Sequence, residues 1–332
     1  MASSFQPTSI LIIGATGAIG KYITDKIVDA QPPFPKVSIF TSESTVSKKA
    51  EYINQLKSKG AHIITGDVTN ANDVKAAYEG VDTVVSAVGR NVIDQQIELI
   101  KLAEESTSVQ WFFPSEYGTD IEYGPESVNE KPHQLKLKVR KYIRENVKRV
   151  KYTYLVTGPY IDMFFTLKKS APEAGGFDIE AKKAVLVDGG EGRIGFTTMP
   201  ETSYTGHPKH VLISYSVGKA LVAALRHPEA SFNKALKVQS FVVTPKQILA
   251  EFEKQVGGPK WTVTSYTLQE LKDAEKKAWS EGNPDATSYT LRRIWSEGGT
   301  LYEKTDNESI GLDSSQLETL EDGVKRALTT GW

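Results

Sequence analysis

The sequence has no cysteine, and this absence removes three kinds of chemistry at once. Disulfide bonds, thiolate nucleophiles and Cys-ligated zinc all need a residue that the 332-residue chain does not contain. The chain also has no run of about 18 apolar residues, the length that a membrane-spanning helix needs. Its first residues, MASSFQPTSILIIGATG, have no basic stretch and only about five consecutive apolar residues, unlike a secretion signal. We therefore expect a soluble, cytoplasmic protein that does not bind membranes.

An excess of charge of one sign is missing as well. The chain has 40 Lys and Arg against 41 Asp and Glu, and its pI is about 6.6. A protein that binds a polyanion carries an excess of positive charge, so we do not expect nucleic acid as a partner. The composition, 39% hydrophobic and 24% charged, is typical of a globular protein with a sizeable core.

Short β-rich runs alternate with helical stretches from residue 9 to about residue 157. Six runs have the composition of strands, at residues 9–14, 36–41, 61–67, 82–89, 109–118 and 151–158. Parallel strands need crossover connections, and the intervening helices supply them. The pattern predicts an α/β fold, a Rossmann-type doubly wound parallel sheet with its ligand at the carboxyl ends of the strands.

The pattern becomes irregular beyond residue 158. Turn-rich segments such as VDGGEGRIG precede a predicted helix in SYSVGKALVAALRHP and a predicted strand in KVQSFVVTP, and the remainder has mostly helical periodicity. We predict one domain at residues 1–157 and a smaller, mixed α/β lobe at residues 158–332. Some strands or helices of the second part are expected to return to the first domain.

Three glycines spaced three residues apart follow the first predicted strand. Gly14, Gly17 and Gly20 stand between an apolar strand and a helical pattern, in IIGATGAIGKYI. Glycine at these positions allows a tight turn, close approach of a pyrophosphate and close packing of the helix, whose N-terminus attracts anions. A P-loop is excluded, because it would need glycine at Ala15 and Ser or Thr at Tyr22. The turn predicts a dinucleotide site, so we expect residues 1–157 to be an NAD(P)-binding domain and residues 158–332 to be the substrate-binding lobe.

The choice between the two nicotinamide dinucleotides depends on the end of the second strand, FTSESTVSKK. An acidic residue here would bind the ribose hydroxyls of NAD, and Glu43 is the nearest acid. Hydroxyl groups followed by Lys48 and Lys49 suit a 2′-phosphate better than a diol. We favour NADP and keep NAD as the alternative.

A basic segment, PHQLKLKVRKYIRE, follows the fifth predicted strand. Helical periodicity places its apolar side chains on one stripe, and we expect the three cations opposite that stripe to be solvated: Arg140, Lys141 and Arg144. Lys136 and Lys138 lie on the two borders of the stripe. A lysine near a helix N-terminus in a desolvated cleft has a lowered pKa, which suits a general base, but periodicity does not choose between these two.

Other residue patterns are alternatives that we consider weaker. Tyr-x-x-x-Lys, the catalytic pair of ordinary short-chain dehydrogenases, occurs at Tyr22 and Lys26 and at Tyr215 and Lys219, neither on the helix that follows the fifth strand. The spacing of His207 and His210 would suit two metal ligands, but neighbouring Gly and Pro break helices and no third ligand is close. We predict no metal site.

Several motifs together resemble the NmrA-like family, in its isoflavone reductase-like branch of atypical short-chain dehydrogenases. They are GATGAIG, ESTVS, VVSAVG, FFPSEYG and QLKLKVRKYIRE, and the resemblance is fullest over residues 8–165. This branch includes phenylcoumaran benzylic ether and pinoresinol-lariciresinol reductases. The resemblance implies that Lys136, rather than Lys138, is the general acid or base on a phenolic or enolic oxygen. It also implies that NADPH delivers hydride to a conjugated or quinone-methide carbon of a small aromatic or polyketide-like metabolite.

The predicted cofactor contacts combine the glycine-rich turn with positions that the resemblance suggests: Gly14, Ala15, Thr16, Gly17, Ala18, Ile19, Gly20, Ser42, Lys48, Asp67, Val68, Ser86, Ala87, Val88, Ser115, Lys136 and Tyr160. Among predicted substrate contacts, Tyr160 stands where the family usually has phenylalanine, and Tyr117 and Phe164 are candidates for an aromatic wall. His133, one turn before Lys136, would either bond the substrate or cap the helix.

The sequence also departs from the family pattern. The family's arginine after the second strand corresponds to Ser42, so affinity for a 2′-phosphate would depend on Lys48 or Lys49. The insert ETSYTGHPKH has no counterpart in the plant reductases, so their substrate specificity is not carried over. Two other functions remain open within the resemblance: a non-catalytic NAD(P)-binding redox sensor that regulates other proteins, and a redox-neutral isomerase. A homodimer is expected.

Overall fold

The computed structural model of the protein describes residues 5–198, 217–313 and 317–330. Twelve strands occur in these residues: β1 (Ser9–Ile13), β2 (Lys36–Thr41), β3 (His62–Thr65), β4 (Thr83–Ser86), β5 (Trp111–Phe113), β6 (Lys151–Val156), β7 (Gly176–Asp178), β8 (Lys183–Val187), β9 (Ile194–Phe196), β10 (Lys234–Lys237), β11 (Phe241–Val243) and β12 (Thr262–Tyr266).

The α-helices of the described residues are α1 (Gly20–Val28), α2 (Glu43–Lys48), α3 (Ala50–Ser58), α4 (Ala71–Tyr78), α5 (Gln96–Glu105), α6 (Gln134–Asn146), α7 (Ile161–Phe165), α8 (Val217–Arg226), α9 (Pro228–Ser231), α10 (Pro245–Val256), α11 (Leu268–Ser280), α12 (Ala286–Ser296) and α13 (Leu320–Thr330). Short 3₁₀ turns at Arg90–Gln95 and Lys131–His133 precede α5 and α6. In the part of the chain that is described, no helix is long and apolar enough to cross a membrane.

The main sheet has seven strands in the order β10-β6-β5-β4-β1-β2-β3, and every neighbouring pair is parallel. The chain order reverses between β1 and β4, and a ligand crevice forms at such a reversal. The predicted doubly wound parallel sheet is therefore confirmed. Six of these strands are the ones predicted before residue 158, and the seventh, β10, comes from the second part of the chain and pairs with β6.

Alternating side chains of β1 supply the two faces of this sheet. Ile10 and Ile12 pack in a cluster with α1, α3 and α8, whereas Leu11 and Ile13 pack in a second cluster with α4, α5 and α6. A strand buried on both faces has an almost continuous apolar sequence, which explains the run SILII. The crevice thus lies at the edge of a rigid, two-sided core.

The second lobe contains small sheets and helices around its own aromatic cluster. Strand β8 pairs with β7 antiparallel and with β12 parallel, and β9 pairs with β11 antiparallel. The strand predicted in KVQSFVVTP corresponds to β11, which lies inside this segment, whereas only the first residue of the segment, Lys237, belongs to β10 of the main sheet. Gln239, in the connection, bonds through its side chain to the Thr300 carbonyl at 3.1 Å. Strand β12 was also absent from the predicted, mostly helical, terminal part.

Three features of the sequence lie outside the described residues. They are the insert ETSYTGHPKH, the His207 and His210 pair, and Tyr215 of the second Tyr-x-x-x-Lys pattern. The described part of the helix predicted in SYSVGKALVAALRHP is α8.

Candidate active site

The glycine-rich turn joins β1 to α1 directly against the end of β4. Gly14 has φ +82°, and a Cβ atom there would lie only 2.4 Å from the Ala87 carbonyl oxygen. A Cβ on Gly20 would lie 2.0 Å from the Gly14 carbonyl oxygen. Neither position therefore accepts a side chain without backbone movement. Gly17 and Ala18 are exposed at the tip of the turn.

The N-terminus of α1 has no anionic partner of its own. No side chain caps the helix, and its first turn contains no acidic residue. Amide groups at such a terminus, together with the helix dipole, favour a bound anion. Thr16 and Ile19 are half-buried beside the exposed tip, and Ala15 is buried beneath it. These residues fit the pyrophosphate of a dinucleotide.

A chain of hydrogen bonds connects the end of β4 to the end of β5. The Ser115 hydroxyl donates to the Val88 carbonyl at 2.9 Å, and the Ser115 amide donates to Gln96 Oε1 at 2.7 Å. Ser86 is buried, and its hydroxyl has no hydrogen-bond partner in the described residues. The predicted cofactor residues of these two strand ends are thus brought together. Gln96, which was not predicted, fixes Ser115.

Lys136 lies on the first turn of α6 and reaches back to the end of β5. Its Nζ donates a hydrogen bond to the backbone carbonyl of Glu116, next to Ser115. Burial is the main cause that lowers the pKa of Lys136 to about 8, and Arg90 and Arg140 add to the lowering, against the opposing charge of Glu116. A lysine with this pKa holds or releases a proton near neutral pH.

Lys138 faces the other way. It is exposed and makes no hydrogen bond or ion pair in the described residues, whereas Lys136 is half-buried. The three-dimensional fold thus distinguishes the two border lysines that periodicity left equivalent. Only the side chain of Lys136 is held at the end of β5.

Arg140 was expected to be solvated, and this prediction was wrong. Its side chain is 1% exposed and binds Glu116 through Nε–Oε1 at 3.0 Å and Nη2–Oε2 at 3.3 Å. Nη1 lies 2.8 Å from Glu122 and 3.6 Å from Asp120, and the guanidinium stacks 4.4 Å from the Tyr154 ring centroid. Arg140 lies on the polar face of α6, and the acidic side chains of the loop after β5 pair with it there. The network fixes the loop that carries the Glu116 carbonyl.

His133 is buried immediately before α6, but its side chain does not cap that helix. Neither ring nitrogen has a hydrogen-bond partner of normal geometry among the described residues, and burial lowers its pKa to about 4, helped by the charge of Lys136. The capping role expected from the sequence was therefore wrong. The imidazole is neutral at pH 7 beside Lys136, and its role toward a substrate stays a prediction.

The predicted aromatic contacts belong to two different clusters. Tyr117 and Tyr160 are buried in the sheet core, and the Tyr160 hydroxyl donates to the Tyr117 carbonyl at 3.1 Å. The Tyr117 hydroxyl has no partner in the described residues, and burial raises its pKa well above the usual value. Phe164 packs instead in the second lobe, 4.9 Å from the Phe196 ring and 6.1 Å from Trp295. The Phe164 ring thus packs in a different cluster from the two tyrosine rings, although the Phe164 amide donates to the Tyr160 carbonyl at 3.0 Å.

The residues predicted around the adenosine half lie after β2 and β3. Ser42 caps α2 by accepting from the Thr45 amide at 3.2 Å, so this hydroxyl is already used. Lys48 is exposed at the far end of the same short helix. Asp67 is exposed, and hydrogen bonds from Thr69 lower its pKa. Val68 is half-buried against the core.

The sequence did not identify three residues of the candidate site, which are Gln96, Glu116 and Arg140. The excess of acids in SEYGTDIE opposite a basic helix was the available signal for the ion pairs. The Tyr22 and Lys26 pattern lies on α1, where Lys26 contacts α8 at Gly218. Within residues 5–198, 217–313 and 317–330, no group of three potential metal ligands comes together.

The match to a family model connects this geometry to known proteins. Residues 6–274 match the model of the NmrA-like family. The chain belongs to the NmrA-like family. The resemblance inferred from the sequence motifs is thereby confirmed.

Curated relatives and a solved structure agree with this membership. A phenylcoumaran benzylic ether reductase of Pinus taeda is 32% identical over 190 residues, which are 56% of this chain and 59% of that protein. The isoflavone reductase of Pisum sativum is 27% identical over 89% of both chains. The leucoanthocyanidin reductase of Vitis vinifera, solved with NADPH, has a TM-score of 0.76 at 19% identity and covers 97% of this chain and 100% of that one. That structure shows the shared fold.

Proposed function

We propose that this member of the NmrA-like family is an NADPH-dependent reductase. Its substrate would be a small aromatic or polyketide-like metabolite that accepts hydride at a conjugated or quinone-methide carbon. The observation that supports this most directly is the continuous path from Gly14 through Ala87, Val88 and Ser115 to Lys136. The named activities of the pine and pea relatives point to the same class of reaction.

The chain's own residues supply a proton site and a dry environment. NADPH, when bound, supplies the hydride. Lys136, oriented by the Glu116 carbonyl, would exchange a proton with a phenolic or enolic oxygen of the substrate, for which its pKa of about 8 is suited. His133 adds a polar side chain without adding charge, since its pKa of about 4 leaves it neutral. The two roles, acid or base, use the same amine in its two protonation states.

Measured turnover of paired lysine variants tests this proposal. Lys136→Ala should lower turnover by roughly 10²–10⁴, the usual contribution of a positioned acid or base, with little change in the Kd for NADPH. Lys138→Ala is the matched control on the same helix and should retain wild-type turnover. Loss of turnover in the control but not in Lys136→Ala would contradict the assignment of the amine.

The panel of substrates should contain an enone, a quinone methide and a benzylic ether. If the protein is a reductase, the absorbance of the reduced nicotinamide should decrease with at least one of these substrates. NADPH binding without oxidation, unchanged in Lys136→Ala, would favour a redox sensor of the NmrA type. Conversion of substrate without loss of that absorbance would favour an isomerase.

We propose NADPH in preference to NADH because of the cations after β2. Lys48 and Lys49 are exposed, and neither makes an ion pair in the described residues, so both can approach a 2′-phosphate. Replacing Lys48 with alanine should raise the dissociation constant for NADPH and leave the dissociation constant for NADH unchanged. An equal loss of affinity for NADPH and NADH would contradict a contact between Lys48 and the 2′-phosphate. A cytoplasmic location and a homodimer stay predictions.

A further inference from the structure

A second cavity lies inside the second lobe, away from the glycine-rich turn. It has a volume of about 100 Å³ and lies between β7, β8, β9 and α12. Apolar side chains form much of its wall, among them Phe177, Leu186 and Ile194. One charged side chain from α12, Arg292, completes the wall and is 92% buried.

Arg292 has no anionic partner among the described residues. Its guanidinium makes a single hydrogen bond, from Nη2 to the Phe164 carbonyl at 2.5 Å, and lies 3.7 Å from the Phe164 ring centroid. A guanidinium has five N–H donors, so most of its donor capacity is not used by the protein. Burial alone lowers its pKa, to about 9. The other buried arginine of the described residues, Arg140, has a carboxylate partner in Glu116.

Two acids stand near the cavity, but both are engaged elsewhere. Asp188 accepts a hydrogen bond from the Leu268 amide at 2.9 Å, and Glu191 pairs with Lys246 at 2.5 Å. Both are exposed. They place negative charge at the outer side of the cavity, which disfavours a ligand of high negative charge. A single negative charge that reaches Arg292 fits this distribution.

The size and lining of the cavity define the ligand further. Its volume exceeds the roughly 30 Å³ that one water occupies and falls short of a cavity of about 150 Å³ that accepts benzene. A carboxylate matches the planar guanidinium through two parallel hydrogen bonds, and an aliphatic tail of two or three carbons would contact the apolar wall. We propose that this cavity binds a short-chain aliphatic monocarboxylate on Arg292. The cavity shares Phe164 with the predicted substrate contacts, but its lining includes neither Lys136 nor the glycine-rich turn.

Thermal unfolding of the full chain tests the site with propionate as the probe. Sodium propionate should raise Tm saturably by about 2 °C or more, because it binds only the folded state. Propionamide, of the same shape but neutral, and sodium chloride at equal ionic strength should not. Equal shifts with chloride would show a salt effect and overturn the proposal, as would the absence of any shift with propionate.

A matched pair of arginine variants locates the effect. Arg292→Met should abolish the propionate shift, whereas Arg193→Met, which removes an exposed cation from the loop beside Glu191, should retain it. A propionate shift that survives Arg292→Met would overturn the assignment. Saturation-transfer NMR of propionate on the wild-type chain provides a second measurement that does not depend on the folding of the variant. None of these readouts involves turnover, so the result is independent of the reductase proposal.

Discussion

One backbone oxygen, the carbonyl of Glu116, determines where the ammonium group of Lys136 is held. The hydrogen bond between them places a positive charge in a half-buried position, beside Arg90 and Arg140, which also repel it. The folded protein therefore bears a cost for the charged form of Lys136 that the unfolded chain does not. This cost is the origin of the lowered pKa, and it has a consequence for stability.

Lys136→Met should stabilise the protein at pH 7. The unfolded amine keeps its proton up to about pH 10.5, whereas the folded amine releases it at about pH 8. The cost is thus fully present below pH 8 and is relieved as the pH rises from 8 to about 10.5. After subtraction of the lost hydrogen bond, we expect a gain of roughly 1–2 kcal/mol at pH 7 that shrinks above about pH 8.

Urea unfolding at several pH values measures this gain. Lys138→Met, which replaces the exposed lysine of the same helix, should leave the free energy of unfolding within about 0.5 kcal/mol of wild type. A destabilised Lys136→Met protein at pH 7 would contradict a desolvated charge at this position.

His133 should make the protein sensitive to acid. The unfolded imidazole takes up a proton near pH 6.5, and the folded one only near pH 4. The free energy of unfolding therefore falls as the pH drops from 6.5 to 4, by up to roughly 1.4 kcal/mol per pH unit from this residue. His133→Leu should make the denaturant midpoint fall less steeply over this pH range. The control His62→Gln, at an exposed site, should leave the pH dependence of the midpoint unchanged. Parallel profiles for wild type and His133→Leu would disprove the buried neutral imidazole.

The loop after β5 and helix α6 form a unit held by buried ion pairs. Arg140 contacts Glu116 near the start of this loop and Glu122 farther along it, and Arg144 adds an exposed contact to Glu122 at 2.7 Å. The same loop presents the carbonyl that orients Lys136. The ion pairs therefore link the stability of the element to the geometry of the proposed proton site.

Arg140→Met should destabilise the protein by about 3–5 kcal/mol, because Glu116 would remain buried without its cation. Arg144→Met, which removes an exposed arginine one turn later on α6, should cost less than about 1 kcal/mol. Denaturant unfolding of both variants measures the difference. Similar costs for the two would contradict the different burial of the two arginines.

The glycine-rich turn permits a second test at the scale of an element. Gly17 is exposed, and a Cβ there would lie 3.2 Å from the Gly14 carbonyl oxygen, a tight but tolerable approach. Gly17→Leu should therefore keep the fold while its side chain covers the anion site, raising the Kd for NADPH at least about 100-fold. Gly124→Leu, where nothing lies within 4 Å, is the control. Unchanged NADPH affinity in Gly17→Leu, measured by calorimetry, would argue against this turn as the cofactor site.

The sequence predicted those parts of the molecule that depend on local patterns. The turn at Gly14 was predictable because strand, glycines and helix are adjacent in the chain. Arg140 was not, since its partners lie 18–24 residues earlier and only the folded loop brings them to the polar face of α6. Strand β10 was not recognised for a similar reason, because its pairing with β6 joins residues about 80 positions apart.

At the scale of the whole molecule, the main sheet is completed by a segment that follows much of the second lobe. Strand β10 pairs with β6, and α8 contributes Val217, Leu221 and Leu225 to the same core cluster as β1. The predicted boundary at residue 157 cuts between these partners. A fragment ending there would lack one edge strand and the helix that covers part of one sheet face.

Residues 1–157 alone should therefore not fold cooperatively. The fragment exposes the apolar surface that α8 and β10 cover in the full chain, and it leaves β6 as an unpaired edge. We expect no sigmoidal urea transition by circular dichroism, in contrast to the full chain. A cooperative transition of the fragment would show that the predicted domain is independent of the later residues.

Strand β10 also sets an order of events during synthesis. Residues 234–237 leave the ribosome only after about two thirds of the chain has been translated, and until then β6 has no neighbour on its outer side. The part of the nascent chain that carries the glycine-rich turn consequently completes its sheet only when the later residues have been made. A stop codon or a ribosome pause between residues 157 and 234 would leave a chain without β10, which cells must protect or degrade. Every residue of its glycine-rich turn would already have been made.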